Sequence, residues 1–291
     1  MSYLFIDDVL TANFNAGGAI STGNFQHSTN VNDVIIACAY WGGESVDTGV
    51  TFTDTLGNVW HPFTNHAFDP VNLVSLYGAW TQSTSSGANQ VTATPANAAS
   101  ISFRTVYAGK YSGLIGTSLG DTSNEIDAPG NAVNAIVSSN VNISTQPAIY
   151  WTVCIDQGAN QTPTPGTSPT AFTGRPNTSV RLCAADARFT ATGNAHATWT
   201  APGTTGADNF QVLSISFAEG TPFVNKPFKF YSNGAIQANV FSQSVALPPS
   251  VVVRLLANNV FQANGTIVQN GAGKVSFLAN GQVICNNTIV V

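Results

Sequence analysis

The sequence predicts an all-β protein: an antiparallel β-sandwich of jelly-roll or lectin-like form over residues 1–220, then a small β domain over 221–291. Three observations predict it. Apolar residues alternate with a period of two through the long runs, and the 3.6-residue period of an amphipathic helix is nearly absent. Gly, Asn, Asp, Thr and Pro, the residues of tight turns, separate those runs. Near the C-terminus one short pattern returns three times.

Val34 to Trp41 is the first strong strand, with Ile35, Ala37, Ala39 and Trp41 on one face and Ile36, Cys38 and Tyr40 on the other. Val50 to Thr53 and Val59 to Phe63 flank Asp54-Thr55-Leu56-Gly57-Asn58 and read as a hairpin. Asp favours the first turn position, and Gly57 and Asn58 tolerate the left-handed conformation. Val71 to Trp80 and Ser100 to Tyr111 alternate in the same way. Ala148 to Ile155 puts Ile149, Trp151, Val153 and Ile155 on one face and reads as a sheet centre. Asp156 to Asn177 is a long polar loop, and loops of that length are usually functional or mobile. Ser179 to Phe189, Ala195 to Thr200 and Phe210 to Ala218 complete about ten strands joined by short turns, the pattern of a β-sandwich. Thr221-Pro222 and Lys226-Pro227 mark a linker into the second domain.

The repeated pattern is Tyr231-Ser232-Asn233-Gly234-Ala235-Ile236, Leu256-Ala257-Asn258-Asn259-Val260-Phe261 and Leu278-Ala279-Asn280-Gly281-Gln282-Val283. Each copy predicts a tight hairpin whose central residues (Asn233 and Gly234, Asn258 and Asn259, Asn280 and Gly281) take positive φ. A lone hairpin is marginal in water, so three of them must share a core or pair with another chain. An assembly role for this domain is expected, with a homo-oligomer, a trimer above all, as its product.

Charged residues make up only 8% of the chain, far below the roughly one quarter of an ordinary soluble domain. Ser, Thr, Asn and Gln supply the polar surface, and the abundance of aromatic and β-branched residues excludes disorder. No Lys or Arg precedes Arg104, whereas residues 221–291 carry Lys226, Lys229, Arg254 and Lys274 and no acid. Such a division steers head-to-tail docking or docking onto an acidic surface. Four dispersed cations make a poor nucleic-acid footprint, so no nucleic-acid partner is expected. Residues Met1 to Asp8 lack a basic region and a useful apolar run, so neither a signal peptide nor membrane insertion is expected. Cys38, Cys154, Cys183 and Cys285 lack CxxC spacing and read as reduced, buried thiols of a protein made in a cytoplasm. A disulfide among them stays open, with no spacing that favours one pairing.

Candidate chemistry is sparse. His61 and His66 flank Pro62 without a carboxylate nearby in sequence and read as surface loop histidines rather than a metal site. Asp47, Asp54 and Asn58 offer oxygen ligands, but they miss the EF-hand spacing and turn capping accounts for Asp54 and Asn58. Asp121, Glu125 and Asp127 cluster in what reads as one loop, which rarely supplies the cleft-spanning pair of a glycosidase. No enzyme, metal or cofactor is therefore expected. Aromatic rings remain as a resource for stacking on sugars. Trp41, Trp80, Trp151 and Trp199 read as core, while Tyr40, Trp60, Tyr77 and Tyr150 are the candidate glycan-binding surface.

Asn32-Asp33-Val34-Ile35-Ile36, the Thr51 to Trp60 segment with its Asp-x-Leu-Gly-Asn-x-aromatic turn, Tyr111 to Leu114, Leu119 to Asp121, Ala197 to Thr200 and Val212 to Phe217 form a set. Together they resemble a β-sandwich domain of bacterial and tailed-phage surface proteins. The repeated-hairpin tail looks like the small β modules appended to phage decoration, head-fibre and tail-fibre proteins. The chain departs from long fibres in lacking a coiled coil and a shaft repeat. The resemblance implies a non-enzymatic component of a virion exterior: a capsid decoration, head fibre or short spike. It would be made in the host cytoplasm, with other virion proteins as partners. The alternative is a receptor-binding module that recognises host surface glycans.

Overall fold

The structure is a computed structural model that describes residues 3–13, 18–43, 47–97, 103–128, 136–157, 162–177, 181–200 and 208–220, with short strand segments between 229 and 289. Two compact units divide the chain, Met1–Pro222 and Phe223–Val291. Among the described residues every regular element is a strand, and the pairings are antiparallel throughout.

In the first half of the first unit the strands are β1 (Leu4–Asn13), β2 (Ile20–Ser21), β3 (Val34–Gly42), β4 (Val50–Asp54), β5 (His61–Pro62), β6 (Ala67–Asp69), β7 (Val74–Gln82), β8 (Val91–Pro95) and β9 (Phe103–Ser112). In the second half they are β10 (Leu114–Ala128), β11 (Ile136–Val137), β12 (Val141–Ile143), β13 (Ala148–Asp156), β14 (Thr164–Pro165), β15 (Thr173–Gly174), β16 (Leu182–Phe189), β17 (Gly193–Ala195), β18 (Thr198–Thr200) and β19 (Asp208–Glu219). The large sheet of the first half runs β1-β9-β3-β7-β5, with β6 also on β7. The large sheet of the second half runs β10-β19-β13-β16-β15. The thin sheets are β2-β8-β4 and β11-β18-β14, with β12-β17 beside the latter. Each half therefore has the strand order of a jelly roll, and the unit is that topology used twice.

The duplication is faint in sequence and clear once the strands are aligned. Gly87-Ala88-Asn89-Gln90-Val91-Thr92-Ala93-Thr94 occupies the place of Gly193-Asn194-Ala195-His196-Ala197-Thr198-Trp199-Thr200. Both glycines have positive φ, 152° and 128°. Val91 and Ala93 in one roll, and Ala197 and Trp199 in the other, are buried in alternation.

The large sheets face each other, and each thin sheet covers the outer face of its own large sheet. Ile36, Cys38, Tyr40 and Tyr107 of the first roll meet Ile149, Trp151, Leu213 and Phe217 of the second in a central core. Ile35, Ala37, Ala39 and Trp41 pack outward against Ile20, Phe52, Val91 and Ala93. Tyr150, Cys154, Ala185 and Val212 pack outward against Ile136, Ile143 and Trp199. Residues on both faces of β3 and β13 are thus buried along their whole length. That explains why Val-Ile-Ile-Ala-Cys-Ala-Tyr-Trp-Gly carries no charge. A Cβ at Gly78 would lie 2.6 Å from the Phe63 ring and 2.7 Å from Leu213 Cδ2, so glycine lets the two rolls approach there.

A polar pin crosses the same interface. Arg175 forms a two-point ion pair with the fully buried side chain of Asp186 on β16. Tyr3 OH donates to Asp186 Oδ1 at 2.7 Å and Tyr111 OH to Oδ2 at 2.8 Å. The Arg175 guanidinium lies 4.0 Å over the Phe5 ring. Asn177 Nδ2 donates to Asp8 Oδ1 at 2.6 Å, a second tie between the rolls.

Val50 to Phe63 is not the expected hairpin. β4 pairs with β8 in the thin sheet and β5 with β7 in the large one, so Asp54 to Asn58 turns from one sheet to the other. Asp54 Oδ1 caps that turn, accepting from the N–H groups of Leu56 at 3.1 Å and Asn58 at 3.0 Å, and Gly57 has φ 70°. The long loop before Asn177 contains β14 and β15.

The second unit contains β20 (Lys229–Phe230), β21 (Ile236–Gln237), β22 (Val253–Leu256), β23 (Val260–Ala263), β24 (Thr266–Gln269), β25 (Val275–Phe277), β26 (Val283–Cys285) and β27 (Thr288–Ile289). Phe230 pairs with Ile236, Leu256 with Val260 and Phe277 with Val283. Asn233, Gly234, Asn258, Asn259, Asn280 and Gly281 lie outside the described residues.

Replacing Asp186 by Ala strands Arg175 and two tyrosine hydroxyls inside the protein. The expected loss is about 3–5 kcal/mol, read from chemical denaturation. Gly78→Ala forces the two rolls apart and is expected to cost about 1–3 kcal/mol in the same experiment.

Candidate functional site

The exposed chemistry gathers where the edge of β7 meets the segment from Thr64 to His66 and the residues before β4. Tyr77 projects from β7 with its ring buried against Trp41, at a centroid separation of 5.3 Å. Its hydroxyl donates to Asp47 Oδ1 at 2.5 Å and accepts from the N–H of Gly49 at 3.3 Å. His66 Nε2 lies 2.5 Å from Asp47 Oδ2, and its ring stacks on Tyr77 at 5.0 Å and 18°. The side chains of His66 and Asp47 are 37% and 36% exposed, so the carboxylate and the imidazole face solvent while the phenol anchors them. Burial pushes the Asp47 carboxyl up, but the hydrogen bonds from Tyr77 and His66 outweigh it and hold that carboxyl below its ordinary value.

The second roll holds this ledge in place. Asp121 on β10 accepts from the backbone N–H groups of Thr64 at 3.0 Å and Asn65 at 2.8 Å. Ser123 Oγ donates to the His66 carbonyl at 2.7 Å. Farther along β7, His61 stacks on Trp80 at 4.5 Å, and nearby Trp60 stacks on Phe52 at 5.8 Å. The ledge presents an oriented carboxylate and an imidazole, both partly exposed and able to hydrogen-bond to hydroxyls.

The four rings expected to form a glycan surface are not brought together. Tyr40 is buried in the central core beside Phe103, and Tyr150 is buried under the second roll's thin sheets. Tyr77 has a buried ring and offers only its hydroxyl to the ledge. Trp60 alone of the four is partly exposed. The physical reason is the outer layer on each roll: both faces of a long strand are core, so the residues alternating with core positions are not surface.

The other candidates disperse as well. Asp54 and Asn58 serve the turn, with Asn58 Nδ2 donating to Asp54 Oδ2 at 2.8 Å, while Asp47 belongs to the ledge. Asp121, Glu125 and Asp127 lie on strand β10 rather than in a loop. Among the described residues no group of three or more His, Cys, Asp and Glu is placed to hold a metal ion. Cys38, Cys154 and Cys183 are buried free thiols. Burial raises the Cys183 thiol to about 11, so it is protonated at neutral pH. The pairing of His66 with Asp47 was hidden in sequence because only the turn of chain through β5 and β6 brings them together.

Every cation of the first unit has a partner within it. Arg104 donates to the carbonyls of Gly18 at 2.6 Å and Ala19 at 3.0 Å. Lys110 meets Asp7, Arg175 meets Asp186, Arg181 donates to the Gln157 carbonyl at 3.3 Å, and Arg188 meets Glu219. The acids outnumber these five cations, so the exterior of the unit is hydroxyl- and amide-rich with a negative excess.

Asp47→Asn is expected to release His66 and to speed amide exchange at Gly49, with a change in global stability under about 1 kcal/mol because the site is exposed. In the unaltered chain a lowered carboxyl stabilises the folded form above the ordinary aspartate range near 3.9, and that contribution is lost as pH falls through the lower folded value. The ring resonances of His66 followed by NMR through an acid titration check the sign. No protein-family model matches the chain, and no curated protein does.

Proposed function

We propose that this chain is a non-enzymatic structural component of a phage-like virion exterior, a capsid decoration, head fibre or short spike. The two-roll unit is its body and the C-terminal unit its docking and assembly module. The division of charge carries this reading. The body commits its five cations internally and keeps an excess of acid, while Phe223–Val291 holds Lys226, Lys229, Arg254 and Lys274 against no acid. The basic unit of one copy therefore complements the body of a neighbour or an acidic particle surface, and such complementarity sets register and association rate. The short antiparallel strand sets of the second unit and the three Asn-centred repeats agree with a module that completes itself against other copies, a trimer above all.

A second reading is attachment to host glycans. It rests on the ledge, where the half-exposed imidazole of His66, stacked on Tyr77, stands beside the Asp47 carboxylate.

Light scattering of the full chain and of residues 1–222 tests the first reading. A trimer or larger that falls to monomer on truncation, and that weakens as salt is raised, is the expected result. Monomers in both forms would overturn the assembly role and leave the glycan reading, which a glycan array then addresses.

A further inference from the structure

Lys110 lies on β9 with no exposed surface, a costly place for an ammonium. Asp7 on β1 stands directly opposite it in register, and Lys110 Nζ is 3.2 Å from Asp7 Oδ1. Nζ donates to the carbonyl of His27 and sits 4.7 Å over the Phe25 ring, so its surroundings are closed to solvent. Asp33, just before β3, is also buried, and it lies two residues before Ile35, which stands opposite Lys110 in the β3–β9 register. Burial raises its carboxyl, opposed by the Asn30 N–H and the Lys110 charge and reinforced by the Asp7 charge.

The two oxygens of Asp7 are unlike. Oδ2 accepts from the backbone N–H of His27 at 2.7 Å and lies 3.1 Å from His27 Nδ1. Oδ1 is buried without any hydrogen bond, so the nearby Nζ is close but not aligned as a donor to it. One oxygen is thus polarised by fixed donors and the other is left to the amine.

We infer that Lys110 and Asp7 are joined by an amide bond formed inside the folded chain, with Asp33 as the proton carrier. The step begins with a proton passing from Nζ to Oδ1 within the ion pair, which gives a neutral amine and a carboxylic acid. The Nζ lone pair attacks Cγ of Asp7, and negative charge develops on Oδ2, where the His27 N–H already points. Asp33 takes a proton from Nζ and hands it to Oδ1. The Cγ–Oδ1 bond then breaks and water leaves. A C–N bond replaces a C–O bond, one water is released, and no oxidant or cofactor takes part. The link would tie β1, the edge strand of its sheet, to β9 and close the chain between them, which removes freedom from the unfolded state. It is independent of the virion reading.

Denaturing mass spectrometry of the full chain, with peptide fragmentation to place any link, tests this. The expected mass is one water below that of the sequence, after allowance for loss of Met1, with the link at Lys110 and Asp7. Asp33→Asn is expected at its full sequence mass. Asp7→Asn is expected to lose ammonia instead of water and so to finish at the mass of the unaltered protein. Both variants keep side-chain shape, and circular dichroism confirms that they fold. An unaltered chain at full sequence mass, or a water loss mapped elsewhere, overturns the inference.

Discussion

Because β3 and β13 are buried on both faces along their whole length, a charged group that the chain places on the two large sheets needs a partner inside the protein. Asp186 is matched by Arg175, Tyr3 and Tyr111, and Lys110 by Asp7 and the His27 carbonyl. Ser214 Oγ donates to Thr152 Oγ1 at 2.9 Å, and Ser138 and Tyr150 share a hydrogen bond of 2.9 Å. The four-layer stack therefore does two things at once. It supplies a core large enough for an all-β unit, and it draws the few charges inward, which leaves a hydroxyl- and amide-rich outer surface.

Two rolls of one topology have diverged in what the strand beside the sheet edge does. On β7 of the first roll, Tyr77 reaches outward to Asp47 and His66 and makes the exposed ledge. On β16 of the second roll, Asp186 faces inward and fastens the rolls together. The equivalent strand thus carries an exposed site on its outer face in one roll and a fastening between the rolls on its inner face in the other. The ledge in turn depends on the second roll, since Asp121 and Ser123 hold the backbone from Thr64 to His66.

Much of the fold was legible from the sequence because strand periodicity is local. Val34–Gly42, Ala148–Asp156 and Asp208–Glu219 appear within a residue or two of where alternation places them. What alternation does not carry is the number of layers. A period of two distinguishes the faces of a strand, but it does not tell solvent from a second core, and so alternation alone makes Tyr40 and Tyr150 surface whereas both are buried. The Asp54 to Asn58 turn was read as a hairpin because its chemistry is that of a turn; which strands it joins is decided by long-range pairing to β8 and β7. The duplication had a faint signal, Thr92-Ala93-Thr94 against Thr198-Trp199-Thr200, that is visible only when the two rolls are laid side by side. The ledge had none, since Asp47 and His66 meet only through the folded chain.

The committed cations also limit what the first unit can offer a charged partner. The first unit carries acid in excess, and Lys110, Arg175 and Arg188 already sit in internal ion pairs that a new pair would first have to break. Breaking a buried pair costs several kcal/mol, more than an exposed pair returns. Contact between bodies is then left to hydroxyls, amides and apolar side chains such as Val59 and Val71, which are exposed singly. The C-terminal unit carries four cations and no acid in its sequence. Under the assembly role proposed above, electrostatic attraction between copies, or toward an acidic surface, would run through that unit.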